Sequence, residues 1–221
     1  MLRPSPAPAP ALRSVLAALG SPTAVREART PALRAAQGPL SPELPLPVHV
    51  LGVAGTPGQA PRTRLAGWRF LIRNGGRAIA AADTMLTPDG WSFSHFFEGP
   101  YVSATERALL QAEALPGPYQ PRLLSVPELY MLTLWLHAEP EADGATTTPA
   151  AADLMVPLAP APPGIAAHRP YQVSDLLPVL STRLGAPPPP GAWAPPPAPP
   201  PTPPPPPVGG RAPPPRPGGA V

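Results

Sequence analysis

The stretch WRFLIRNGGRAIAAADTM, residues 68–85, reads as a β-hairpin. Trp68, Phe70 and Ile72 alternate with Arg69 and Arg73, which is the two-residue period of a strand with one buried face. Asn74-Gly75-Gly76 supplies the positive φ that a tight hairpin turn demands. Ala78 to Ala82 leave room for aromatic side chains from a facing strand or a covering helix. Pro88-Asp89-Gly90 marks a second turn, after which Trp91, Phe93, His95 and Phe97 alternate with serines. The expectation is a three-stranded antiparallel meander.

Upstream, Val48 to Ala54 reads as a strand followed by Gly52, Gly55 and Gly58. Their spacing lacks the tight G-x-G turn of a dinucleotide-binding loop, and Pro57 interrupts the helix that such a loop opens. Downstream, Ser103-Ala-Thr-Glu106 matches a capping box, with Leu109, Ala112 and Leu115 continuing at helical spacing until Pro116-Gly-Pro118. Leu123 to Val126 reads as a strand, or Pro127-Glu128 opens a helix capped by Ser125. Leu129 to Leu136 is apolar on every face, so periodicity does not separate strand from helix. Strand is preferred because Asp153 to Leu158 offers an antiparallel mate. A last helix starts at Ser174-Asp175 and stops at Gly185, with Pro178 kinking or dividing its first turns. The sum is an α+β domain with a mainly antiparallel sheet: the meander, a helix, two further strands and a C-terminal helix, with disordered proline-rich arms. This order of elements is similar to that of type III secretion chaperone-like folds, and the resemblance implies binding to other proteins.

Proline accounts for 45 of the 221 residues, and 19 of the 35 from Pro187 to Val221. A residue without an N–H is excluded from helix interiors and central strands, so the foldable part lies where proline thins out. The expected organisation is a low-complexity arm over 1–45, one domain over 46–185 and a disordered tail over 186–221. Within the arm, Leu12, Val15, Leu16 and Leu19 form a helical apolar stripe ending at Gly20. It packs on the protein's own sheet or forms transiently, or else docks on another protein or a lipid surface. In the tail, Arg211-Ala-Pro-Pro214-Pro-Arg-Pro217 fits R-x-x-P-x-x-P, a polyproline II ligand pattern, although a spacer is the default for such composition.

All 16 basic residues are arginine, and cysteine is absent. Lysine Schiff-base chemistry, a Walker-type phosphate loop, thiol nucleophiles and cysteine-ligated metals are thereby excluded. The excess positive charge lies in the two flanks while residues 46–180 are net negative, so no strong nucleic-acid signal results. His49, His95, His137 and His168 show no metal-ligand spacing, so no metal or cofactor is expected. No apolar run is long enough for a transmembrane helix. A cytoplasmic location is expected, or organelle targeting if the Arg- and Ala-rich arm acts as a transit peptide.

The densest group of candidate functional side chains is Ser92, Ser94, His95, Glu98 and Tyr101, at the end of the third strand. His95 with Glu98 suggests an acid–base pair and Ser94 a nucleophile. Regular strand geometry opposes this, because adjacent Ser94 and His95 would point to opposite faces. The leading expectation is therefore a non-enzymatic protein-binding module, chaperone-like or adaptor-like, with a proline-rich tether. A small metal-independent hydrolase using His95 and Glu98 is the alternative.

Overall fold

A computed structural model describes residues 1–52, 62–145 and 148–185. The Arg211–Pro217 pattern and most of the glycine-rich loop after residue 52 lie outside them. In chain order the elements are α1 (Ala9–Leu19), α2 (Pro22–Glu27), α3 (Pro31–Ala35), β1 (Ser41–Leu51), β2 (Thr63–Asn74), β3 (Arg77–Thr87), β4 (Gly90–Phe97) and α4 (Pro100–Glu113). They continue with β5 (Gln120–Val126), a 3-10 turn (Pro127–Leu129), β6 (Met131–His137), β7 (Leu154–Pro157), β8 (Tyr171–Gln172) and α5 (Val173–Gly185). The fold is α+β, with an eight-stranded and mostly antiparallel sheet and five α-helices among the described residues.

Gly75 and Gly76, with φ of +56° and +85°, turn β2 into β3, and Asn74 pairs with Arg77. These are the left-handed conformations of a two-residue hairpin loop, open to glycine at no steric cost. The strand order is β4-β3-β2-β1-β5-β6-β7-β8. Every neighbouring pair is antiparallel except β1 and β5, which run parallel through Val48–Leu123, His49–Leu124 and Val50–Ser125. Helix α4 makes this pairing possible by carrying the chain from the β4 edge across β3, β2 and β1.

Alternation along the strands sorts the core into two faces. On the first, Leu71, Ala81, Leu123, Leu134 and Leu136 pack against Ala104, Ala108 and Ala112 of α4. On the second, Trp68, Phe70, Ile72 and Phe96 lie under Ala11 and Val15 of α1. Farther along that face, Leu124, Trp135 and Met155 lie under Leu176 and Leu180 of α5.

Several expectations are corrected. Among the described residues the sheet has eight strands where the expected domain counted five: the segments read as strands from Val48 and from Leu123 join it as β1 and β5, and β8 is added. The element order on which the chaperone-like resemblance rested is therefore not the one observed. The first strand starts at Ser41 instead of Val48, so the expected boundary at residues 45 and 46 falls inside it. Prolines Pro42, Pro45 and Pro47 hid its first half. They are tolerated because β5 pairs only from Val48 onward, leaving the proline-bearing half with β2 alone as neighbour, where a missing N–H costs no ladder bond on the open side. Helix α4 starts at Pro100, behind Gly99 at φ +132°, and not at Ser103. Proline at the first helical position is already preset for the helix. Ser103 Oγ returns to Pro100 O at 3.1 Å, and Glu106 pairs with Arg73 at 3.1 Å, so neither forms a capping box.

Helix α1 is packed on the sheet, but by Ala11, Val15 and Ala18. Leu12 and Leu16 of the expected stripe are exposed, and Leu19 is partly buried. The flat layer of Trp68, Phe70 and Ile72 admits the small face of the helix most closely. The segment preceding α1 is ordered against the sheet as well, since Leu2 bridges to Tyr119 and Arg3 N–H donates to Tyr119 O at 2.8 Å.

Candidate functional site

Strand β4 forms one edge of the sheet, and its sequence Gly-Trp-Ser-Phe-Ser-His-Phe-Phe contains no Arg, Asp, Glu or Pro. Its register against β3 slips between Asp83–His95 and Thr84–Phe93, which leaves Ser94 as an extra residue. Such a bulge breaks the two-residue period. Phe93 and Phe96, instead of Phe93 and His95, then reach the α1 side, with their rings 4.5 Å apart.

The bulge also reverses the sequence argument about Ser94 and His95. Both are exposed, and Ser94 Oγ lies 3.0 Å from His95 Nδ1. Glu98 is placed elsewhere: its Oε2 accepts the N–H of Ala32 at 2.9 Å, tying the end of β4 to the first turn of α3. Asp83, opposite His95 in the register, is held bidentately by Arg69 at 2.8 and 2.9 Å. Tyr101 lies at the start of α4, where its hydroxyl is 2.5 Å from Tyr130 O and 3.0 Å from Pro160 O and donates to one at a time. Burial pushes its pKa up.

Two open depressions flank this region. One, of about 440 Å³, runs between α2 and β4 and is lined by Ala24, Glu27, Ala28, Arg29 and β4 residues Phe93 to Phe96. The other, of about 360 Å³, lies on the opposite face among Arg69, Phe97, Tyr101, Tyr130 and Leu132. Tyr130 has φ +49° and is 89% exposed.

A second polar constellation had no motif to announce it. His49 on β1, Gln120 and Arg122 on β5, Trp135 and His137 on β6, and Asp153 before β7 are all buried. Asp153 accepts from Trp135 Nε1 at 2.7 Å, His137 Nδ1 at 2.9 Å, Ala138 N at 2.9 Å and Ala150 N at 2.8 Å. A carboxylate only accepts, so Nδ1 of His137 carries the hydrogen. Gln120 Nε2 donates to Pro140 O and Ala142 O, Arg122 Nη2 to Asp143 O at 3.0 Å, and His49 Nε2 to Gly144 O at 3.0 Å. Four carbonyls of the β6–β7 connection are thus held by side chains of β1 and β5. The guanidinium of Arg122 lies 4.9 Å from the Trp135 ring centroid. Burial, the largest cause, lowers the pKa of Arg122, and Asp153 and Asp143 oppose it. His49 is lowered to about 4, chiefly by burial, with Arg122 and His137 adding and its bond to Gly144 opposing.

This cluster has the donors of an acid–base site but no exposed member; the bonds from Gln120, Arg122, His49, Trp135 and His137 tie the β6–β7 connection to the sheet, and those from Ala138 and Ala150 to Asp153 brace the connection itself. Its chemistry is that of a buried polar lock. Among the described residues no group of three His, Cys, Asp or Glu side chains converges as a metal site, and no helix is long and apolar enough to cross a membrane. No protein-family model, curated protein or solved structure matches the chain.

Proposed function

We propose that the chain is a non-enzymatic protein-binding module, and that the β4 edge with its α2 groove is where a partner chain docks. The supporting observation is the edge itself: eight residues of strand at the margin of the sheet, without charge or proline to deter another strand. Unpaired backbone groups along an edge recruit an extended chain by hydrogen bonding, and an adjacent pocket selects its side chains. Phe93 and Phe96 give the groove an apolar floor, and Glu27 and Arg29 give it charges of both signs. In this reading the proline-rich segment 186–221 acts as a tether, Arg211, Pro214 and Pro217 and the exposed Leu12 and Leu16 are secondary contact points, and the protein works in the cytoplasm.

The test is a photo-reactive amino acid placed at Ser94 in the full chain, compared with one at Gln172 on the opposite edge. Covalent capture of a protein chain at Ser94 and not at Gln172 supports the reading; equal or absent capture at both sinks it.

The bond between Ser94 Oγ and His95 Nδ1 favours a second reading, a hydrolase in which His95 activates Ser94. Glu98, engaged with Ala32, is not the acid of that arrangement. Turnover of activated esters that disappears in both Ser94→Ala and His95→Ala would establish it, and turnover unchanged by either substitution would end it.

A further inference from the structure

Resting on that reading of the β4 edge, we infer that the docking chain is a second copy of this protein, paired β4 to β4 about a two-fold axis so that the two eight-stranded sheets continue into each other. Long strand edges are normally protected by charge, proline, shortness or a cover. The far edge, β8, is two residues long and so is guarded by its brevity. Within β4 the Ser94 bulge is one such device and the α2–α3 segment flanks the strand, but among the described residues no strand pairs with its outer side, and Trp91, Phe93, Phe96 and Phe97 make it rich in residues that favour pairing. An edge carried by every molecule requires a cover present wherever the molecule is, and a second copy meets that condition without a dedicated partner.

The groove wall suits the same occupant. An isologous interface must be self-complementary, because each side chain meets the symmetry-related surface. Glu27 and Arg29 line the groove beside the edge with opposite charges, so a two-fold axis that passes between their projections onto the strand sets Glu27 of one copy against Arg29 of the other, twice. Ala24 and Ala28, on the same wall, are small enough to let the two α2 segments approach. Phe93 and Phe96 on the floor meet their counterparts across the axis, a cross-strand aromatic arrangement that stabilises antiparallel pairs.

The experiment is light scattering on the full chain across a dilution series, with circular dichroism of each variant as the folding check. The expected mass is twice 22.8 kDa, falling toward 22.8 kDa on dilution. Glu27→Arg places like charges across the axis and weakens the dimer by about tenfold or more. Adding Arg29→Glu reverses both charges and restores it. A mass of 22.8 kDa at every concentration, or a dimer indifferent to both variants, overturns the inference. Monomeric protein that still captures a different chain at Ser94 sinks only the second copy as partner. Monomeric protein that captures nothing there sinks the docking edge as well.

Discussion

His49 and Gly144, 95 residues apart in sequence, meet at 3.0 Å between the imidazole Nε2 and the carbonyl oxygen. Because a carbonyl only accepts, the imidazole must carry its hydrogen on Nε2, and its buried Nδ1 is left bare. A proton added at Nδ1 would put a charge beside Arg122 without a compensating acceptor.

Stability is therefore expected to fall on acidification. The folded state holds His49 at about 4 while the unfolded chain titrates at 6.5, so the unfolded state binds more protons between these values. The loss from this group begins near pH 6.5 and is complete near pH 4, amounting to at most about 3 kcal/mol. Urea denaturation at pH 7.5 and 4.5 measures it, and His49→Gln should reduce the difference between the two pH values. An unchanged difference would mean that carboxylates alone set the acid limit.

Asp153→Asn exchanges two acceptor oxygens for one and puts an amide among N–H donors. It also strips Arg122 of a buried countercharge. Breaking a buried ionic group in this way costs about 3–5 kcal/mol, whereas Trp135→Phe removes one hydrogen bond to a charged acceptor and costs about 1.5–3 kcal/mol. Denaturation midpoints of the two variants should rank in that order.

Gly67 and Gly144 are both sites of close approach. A Cβ on Gly67 would lie 2.0 Å from Thr84 O, and one on Gly144 would lie 2.8 Å from Ser5 Oγ and 3.2 Å from the Trp68 ring. Gly67→Ala must push β3 backbone aside and is expected to be the more damaging. For Gly144→Ala, where the serine hydroxyl can rotate away, about 1–3 kcal/mol is expected from overpacking. Thermal unfolding of the two variants decides the order.

Residues 1–45 should be indispensable to folding. Removing them takes away α1, α2, α3 and the start of β1, and uncovers Phe70, Ile72, Ala80 and Ala82, each at most 1% exposed. Each large apolar side chain returned to water costs about 1.5–3 kcal/mol, against a total stability of about 5–15 kcal/mol for a domain. A fragment of residues 46–185 is expected to show no cooperative unfolding transition, and a sharp transition would refute this.

The hairpin from Trp68 was legible because its information is local: alternating side chains, and glycines where φ must be positive. The β6–β7 pairing was legible too, through two apolar segments joined by one polar loop. What escaped was set by distant partners. Nothing near Pro42 or Pro47 reveals that β5 arrives only at Val48. Nothing near Leu12 says that the sheet prefers the alanine face of α1. The Ser94 bulge is invisible in a run that alternates well on paper, yet it decides whether Ser94 and His95 touch. The polar cluster left one trace: Gln120 and Arg122, and Trp135 and His137, are spaced two apart and so share a face. The acceptors of Gln120 and Arg122 include backbone carbonyls, which no residue type advertises, and the Asp153 that receives Trp135 and His137 lies 16 or more residues away in sequence.

The parallel contact between β1 and β5 is three residue pairs long, whereas the neighbouring β1–β2 and β5–β6 ladders contain nine and seven. Two antiparallel blocks are thus stitched at Val48, His49 and Val50. Closure of that seam joins segments about 75 residues apart, so it carries a large loop-closure cost and belongs late in assembly. In the native state the same seam is where the blocks should part first. Amide hydrogens of β1 and β5 that bridge it are expected to exchange sooner than those inside the β2–β3 hairpin, which gives the molecule a predetermined line of fission.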